Sequence, residues 1–127
     1  MHSMTIQRIP FAVDADNRLR TLKARTGITP NILCRLGFCL SLEEPGEPMP
    51  MQKEEKSGRE INRFTLLGEY DIAYVALLQS WAHSRQMDNL SEDDLNDLFV
   101  AHMNRGVELL AARLKGLADL GELVGKL

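Results

Sequence analysis

The sequence lacks most of the patterns that enzymes rely on. It has no glycine-rich phosphate loop and no Gly-Lys-Ser/Thr step, which removes the backbone cradle of a nucleotide-binding P-loop. It has no His-Glu-x-x-His. His83 and His102 fall on separate predicted helices, with no cysteine or carboxylate at ligand spacing. There are two cysteines, Cys34 and Cys39. On one helix they point about 140° apart, so they are not expected to bond to each other, and two thiols make no zinc site. Cys34 sits in an apolar helix, which raises a thiol pKa and makes a poor nucleophile. No apolar run reaches the roughly 18 residues of a membrane helix. Gln7, Arg8, Pro10, Asp14 and Asp16 break any leader-like apolar stretch. The expectation is a cytoplasmic, non-catalytic chain without cofactor or metal. A nicking site built from two or three scattered residues would leave no such pattern, and weak nickase activity remains the minor alternative.

What is present fits one domain over 1–127, since 127 residues match the common domain size of roughly 100–150. The apolar fraction of 44% is enough for a core. The net charge of −3 is unevenly spread. Residues 1–40 carry six basic and two acidic side chains, and residues 41–100 carry five basic and thirteen acidic ones. A basic part joined to an acidic part suits a protein with an anionic partner and a second interface.

Local chemistry predicts a mainly α fold of about four helices with one or two short extended segments. Residues 5–12 read as extended, with Pro10 limiting the strand to an edge. Asp14 or Asp16 caps a first helix, which Gly27 ends. Thr29-Pro30 starts a second helix. Its residues Ile32, Leu33, Leu36, Phe38, Cys39, Leu40 and Leu42 are apolar nearly all round, which predicts burial in a core or an oligomer interface. Residues 43–60, with three prolines and two glycines, read as a loop. Ile61 to Leu67 reads as a strand or a turn into a third helix, from about Glu69 to Arg85. That helix is apolar on most sides and is expected to sit centrally. Ser91-Glu92-Asp93-Asp94 resembles a capping box opening a long helix to Leu120, which Gly106 and Gly116 would bend. The acidic cluster Asp93, Asp94 and Asp97 reads as a solvated first turn that offsets the helix dipole.

Two function classes fit this layout. The strand-helix-helix order of residues 5–42 is that of ribbon-helix-helix proteins, in which paired strands from two chains enter the major groove. Thr5, Gln7 and Arg8 would then face DNA, and Arg18, Arg20, Lys23 and Arg25 would hold phosphates. Arg35, Lys53, Lys56 and Arg59 complete the candidate cations. The other class is a protein-binding adaptor using the apolar helices. Salt discriminates the two, because phosphate contacts weaken steeply with ionic strength.

Two longer stretches carry a resemblance. Arg25-Thr-Gly-Ile-Thr-Pro-Asn-Ile-Leu-Cys-Arg-Leu-Gly-Phe-Cys-Leu-Ser-Leu42 and Glu60-Ile-Asn-Arg-Phe-Thr-Leu-Leu-Gly-Glu-Tyr-Asp71 resemble the two signatures of the DndE family of DNA sulfur-modification proteins. The resemblance runs from about residue 5 to residue 120. It implies a role in DNA phosphorothioation, where sulfur replaces a non-bridging phosphate oxygen. It further implies binding of double-stranded, especially nicked, DNA and a compact homotetramer. Desulfurase, iron–sulfur and ATPase chemistry would then reside on other subunits. The family's DNA surface is associated with lysines, whereas the first helix here carries mostly arginine, so its DNA contacts are read from charge alone.

Overall fold

The structure is a computed structural model that describes residues 4–114. His2, the expected helix extension to Leu120 and the bend at Gly116 lie outside the described residues. The strand β1 (Arg8–Ala12) leads directly into α1 (Val13–Thr26), and α2 (Pro30–Glu43) follows a short turn. After a 3-10 turn at Lys53–Glu55 come the strand β2 (Lys56–Asn62) and the one-turn helix α3 (Arg63–Leu67). The long helices α4 (Asp71–Ser84) and α5 (Glu92–Arg113) complete the described chain.

Helix ends follow local chemistry. Gly27 adopts φ 73°, and its N–H bonds the Lys23 carbonyl, the left-handed C-cap that a Cβ would disfavour. Pro30 opens α2 after Thr29. Ser91 and Asp94 form a reciprocal capping box at the start of α5. The first helix departs from expectation. It starts at Val13 after Ala12, which has no side-chain cap, and Asp14 and Asp16 lie in its first turn. Asp16 is buried because it takes ion pairs instead.

The axis of the molecule is the packing of α2 on α5. Gly37 and Gly106 meet backbone to backbone. A Cβ on Gly37 would lie 2.7 Å from the Gly106 carbonyl carbon and oxygen. Gly106 is thus a point of contact, and α5 passes through it without interruption. Phe38 and Phe99 stack beside the crossing with centroids 5.0 Å apart. Phe11, Leu19, Leu33, Leu66, Leu78 and Met103 fill the surrounding core with full burial.

The two strands form an antiparallel ribbon within one chain, with Arg8 opposite Asn62, Ile9 opposite Ile61 and Pro10 opposite Glu60. The strand-helix-helix order holds, but β1 pairs with β2 rather than with a second chain. The far side of the N-terminal segment is tied to α5. Asn96 Oδ1 accepts from the Thr5 and Ile6 N–H groups, and Asn104 Oδ1 accepts from that of Ala12. The stretch expected as loop over 43–60 therefore ends in a turn and a strand. Between the Pro10–Glu60 and Ala12–Lys56 pairs a bulge sets one residue of β1, Phe11, against three of β2, Ser57, Gly58 and Arg59. Gly58 sits inside it at φ 96°.

The placement of α4 corrects the sequence reading. It is peripheral, with only Leu78, Trp81 and Ala82 fully buried. Ile72 is 83% exposed, and Phe64, Tyr70 and Leu77 are also exposed. Apolar composition had pointed to a central helix, but α5 and α2 occupy the centre, and α4 covers only one side of them.

The glycine crossing yields a direct test. Gly106→Ala should lower unfolding stability by about 3 kcal/mol, because a methyl group there meets backbone that cannot swing aside. Urea unfolding followed by circular dichroism measures this.

Candidate functional site

The candidate cations divide between the flanks of α1. Arg20 and Lys23 are about 60° apart on the helix wheel, on the side facing β2, whereas Arg18 lies about 160° from Arg20. Arg25, two turns on from Arg18, shares that other flank. The field of Arg18 is felt by Glu108 of α5. Arg18, Arg20, Lys23 and Arg25 are all exposed. They do not form one face.

The β2-facing flank gains a member from elsewhere in the chain. At the bulge, Arg59 reaches back to α1 and donates from Nε to Asp16 Oδ1 at 2.6 Å. Arg20 Nε donates to the same oxygen at 3.2 Å. Burial raises the Asp16 carboxyl pKa, but hydrogen bonds from Arg20, Arg59 and Ser57 outweigh it and hold the group below its usual range. Arg59 and Arg20 therefore meet around an ionised aspartate, and Lys23 lies two turns beyond Asp16 on the same flank of α1.

The remaining candidates are spread or engaged. Arg8 pairs with Glu60 at 3.2 Å on the exposed face of the ribbon. Arg35 donates to the Leu66 carbonyl at 2.7 Å and lies over the Tyr70 ring, so it staples α2 to the α3–α4 turn. Lys53 and Lys56 are exposed at the turn before β2 and at its first residue. Thr5 is held by Asn96, whose Nδ2 donates to Thr5 Oγ1. The Gln7 carbonyl accepts from the Arg63 N–H.

Two arginines that sequence reasoning passed over are structural anchors. Arg63 is 9% exposed and forms a two-pronged pair with Asp71, at 2.7 and 2.8 Å. It also donates to the Met4 and Ile6 carbonyls. Arg105 donates to Ser41 Oγ, the Ser41 carbonyl and the Gly46 carbonyl, and so closes the C-terminal end of α2. No sequence spacing signals either one, because their partners are distant or lie on the backbone.

The buried polar centre is His102. Its Nδ1 shares a 2.7 Å hydrogen bond with Ser41 Oγ, and the same hydroxyl accepts from Arg105 Nε. His102 Nε2 and Trp81 Nε1 have no hydrogen-bond partner among the described residues. They belong to one T-shaped ring pair with centroids 4.3 Å apart. Burial, with added repulsion from Arg105 and Arg85, pushes the His102 pKa down to about 3. It is a neutral core group and a poor proton shuttle at physiological pH.

Two clefts bring little chemistry together. One of about 500 Å³ lies at the α4–α5 connection, between Ala82, His83, Met87, Asp88, Asn89 and Ser91. His83 meets Asp88 there in an exposed 3.2 Å contact. The other, of about 210 Å³, is lined in part by Met49, Glu55, Asn104 and Glu108. Burial and then the charge of Asp14 raise the Glu108 pKa, with Arg18 opposing. Among the described residues no group of three or more His, Cys, Asp or Glu side chains could hold a metal. The Cys34 thiol is raised to about 12 by burial.

These features define a class first: a small, mainly helical domain with a two-stranded ribbon, whose candidate chemistry is non-covalent and cationic. The chain belongs to the DndE family, since the family model described as DNA sulphur modification protein DndE matches residues 8–116. Among solved structures it is similar to DndE from Escherichia coli B7A, described as involved in DNA phosphorothioation modification. That match has 29% identity and a TM-score of 0.67, over 87% of this chain and all of that one. It is also similar to a glycine-to-lysine double variant of DndE involved in DNA phosphorothioation. There the identity is 26% and the TM-score 0.64, over 85% of this chain and 99% of that one. No curated protein sequence matches it.

The depressed His102 pKa fixes a pH dependence. The folded state keeps this ring neutral, so the unfolded chain binds the proton more readily. Stability is full above pH 6.5 and falls as pH drops from 6.5 toward about 3, by an amount on the order of 3 kcal/mol. The stretch above pH 4 separates this from Asp16 and Asp94, whose lowered carboxyls start from 3.8. Urea melts at stepped pH should show this slope in the native protein and a flatter limb in His102→Leu.

Proposed function

We propose that the protein is a non-catalytic subunit of a DNA phosphorothioation machinery and holds double-stranded DNA, nicked duplex included, through its phosphates. The observation that carries this reading is the edge where Arg59 of β2 joins Arg20 and Lys23 of α1. Membership of a DNA sulphur modification family supports it. Arginine suits the task because its planar fork matches phosphate oxygens. Lys53 and Lys56, before and at the start of β2, add exposed cations, and Arg18 and Arg25 offer a second cationic flank of α1. Such contacts position DNA without reading its sequence. The setting is the cytoplasm, and the partners are the subunits that carry the sulfur, iron–sulfur and ATP chemistry.

The exposed residues Phe64, Tyr70, Ile72 and Leu77 supply the second half of the proposal. Exposed apolar side chains mark protein contact surfaces, and here those running from α3 through α4 are the subunit contact of a homo-oligomer, taken as a tetramer. The same surface favours one competing reading, an adaptor that binds other subunits and never touches DNA.

Salt separates the two readings. Duplex binding should fall with a log–log slope of about −3 if three phosphates are neutralised. Replacing Arg18, Arg20, Lys23 and Arg25 together with glutamine should weaken binding at least about tenfold, with the circular dichroism spectrum unchanged. Salt-insensitive binding, or none, would favour the adaptor. For assembly, Ile72→Asp should lower the sedimentation mass while leaving the fold intact, since the side chain lies outside the core of the single chain.

A further inference from the structure

We propose that Asp16 is a positioning residue for a phosphate subsite, holding Arg20 and Arg59 by their Nε atoms so that their terminal amino groups close on one phosphodiester. This rests on the DNA-binding reading and names the part of the surface where a phosphate is gripped.

The geometry supports it in three ways. Both guanidiniums donate from Nε to the same oxygen, Oδ1. The two Nε atoms are therefore no further apart than those two hydrogen bonds laid end to end. Among the described residues, the terminal nitrogens of Arg20 and Arg59 have no protein acceptor. Finally, the side chains differ sharply in access. Asp16 is 7% exposed, whereas Arg59 is 26% and Arg20 66% exposed. The carboxylate lies inside, the Arg20 side chain is largely open to solvent, and part of the Arg59 side chain remains accessible.

Each element contributes to this arrangement. The β2 bulge and Gly58 at φ 96° bring Arg59 over the first turn of α1, and bulges characteristically re-aim a side chain. Arg20 follows Asp16 by one helical turn. Ser57 bonds the carboxylate and also accepts from the Arg59 N–H at 3.0 Å, which ties the loop to the aspartate. Ordering two long side chains in advance removes entropy that binding would otherwise have to overcome.

The competing account treats Asp16 as a charge that repels phosphate, and the two accounts predict opposite signs. The test measures anisotropy of a short fluorescein-labelled duplex at low and high salt. Native protein, Asp16→Asn, Asp14→Asn, Arg20→Lys and Arg59→Lys are compared. Simple charge predicts that Asp16→Asn tightens binding, as loss of the exposed neighbour in Asp14→Asn should. Positioning predicts about tenfold weaker binding for Asp16→Asn, although the protein becomes more positive. It also predicts losses of about threefold or more for the two lysine variants, which keep the charge and lose the fork. An Asp16→Asn protein that is folded and binds as well as or better than native overturns the proposal, as do lysine variants at native affinity. If Asp16→Asn fails to fold, the lysine variants decide. Native protein that binds no duplex at either salt overturns the DNA-binding reading itself, and this subsite with it.

Discussion

The closest constraint in this molecule is the meeting of two backbones. Where α2 crosses α5, Gly37 and Gly106 leave no room for even one methyl group on either side. The rest of the structure takes its spacing from that approach. Phe38 and Phe99 can stack beside it, and Ser41 comes within reach of His102 and Arg105. Asn96 and Asn104 on α5 then hold the segment that carries β1. The direction of α1 follows from β1, because the strand runs into the helix without a linker. The position of the cationic edge is thus inherited from a contact between residues with no side chains.

Three of the arginines away from that edge serve the scaffold. Arg35, Arg63 and Arg105 each cap backbone carbonyls or join elements. This also explains what the two family signatures encode. The first contains the left-handed cap Gly27, the Thr29-Pro30 start, Arg35 and the crossing glycine Gly37. The second contains the Asn62 cap of α3, the Arg63–Asp71 clasp and Gly68, whose φ of 57° and nearness to Arg35 disfavour a side chain. The likeness to DndE proteins therefore rests on shared architecture, and the candidate phosphate-binding cations stand mostly outside it.

What could be read from the sequence was chemistry that is local along the chain. Gly27, Thr29-Pro30 and the Ser91–Asp94 box each specify an end within a few residues, and each is found where expected. Features whose partner is distant in sequence were illegible. The strand β2 is charged and carries a glycine, and only pairing with β1 makes it a strand. Gly106 reads as a bend until Gly37 is seen against it. The apolar make-up of α4 shows that it can be buried but not that α5 has already taken the centre. At the cationic edge, composition supplied Arg20, Lys23 and Arg59 as separate charges. The meeting of Arg20 and Arg59 at Asp16 depends on a bulge that no periodicity reveals.

Trp81 is the sole tryptophan of the chain, and it sits where α4 docks. Its indole is 5% exposed, with the Arg85 guanidinium 4.4 Å from the ring centroid and the His102 ring edge-on. The intrinsic ultraviolet emission of the protein therefore comes mainly from a single joint, the attachment of its least embedded long helix. Whatever loosens that helix will alter the colour and intensity of the emitted light, even while the crossed pair beneath stays whole.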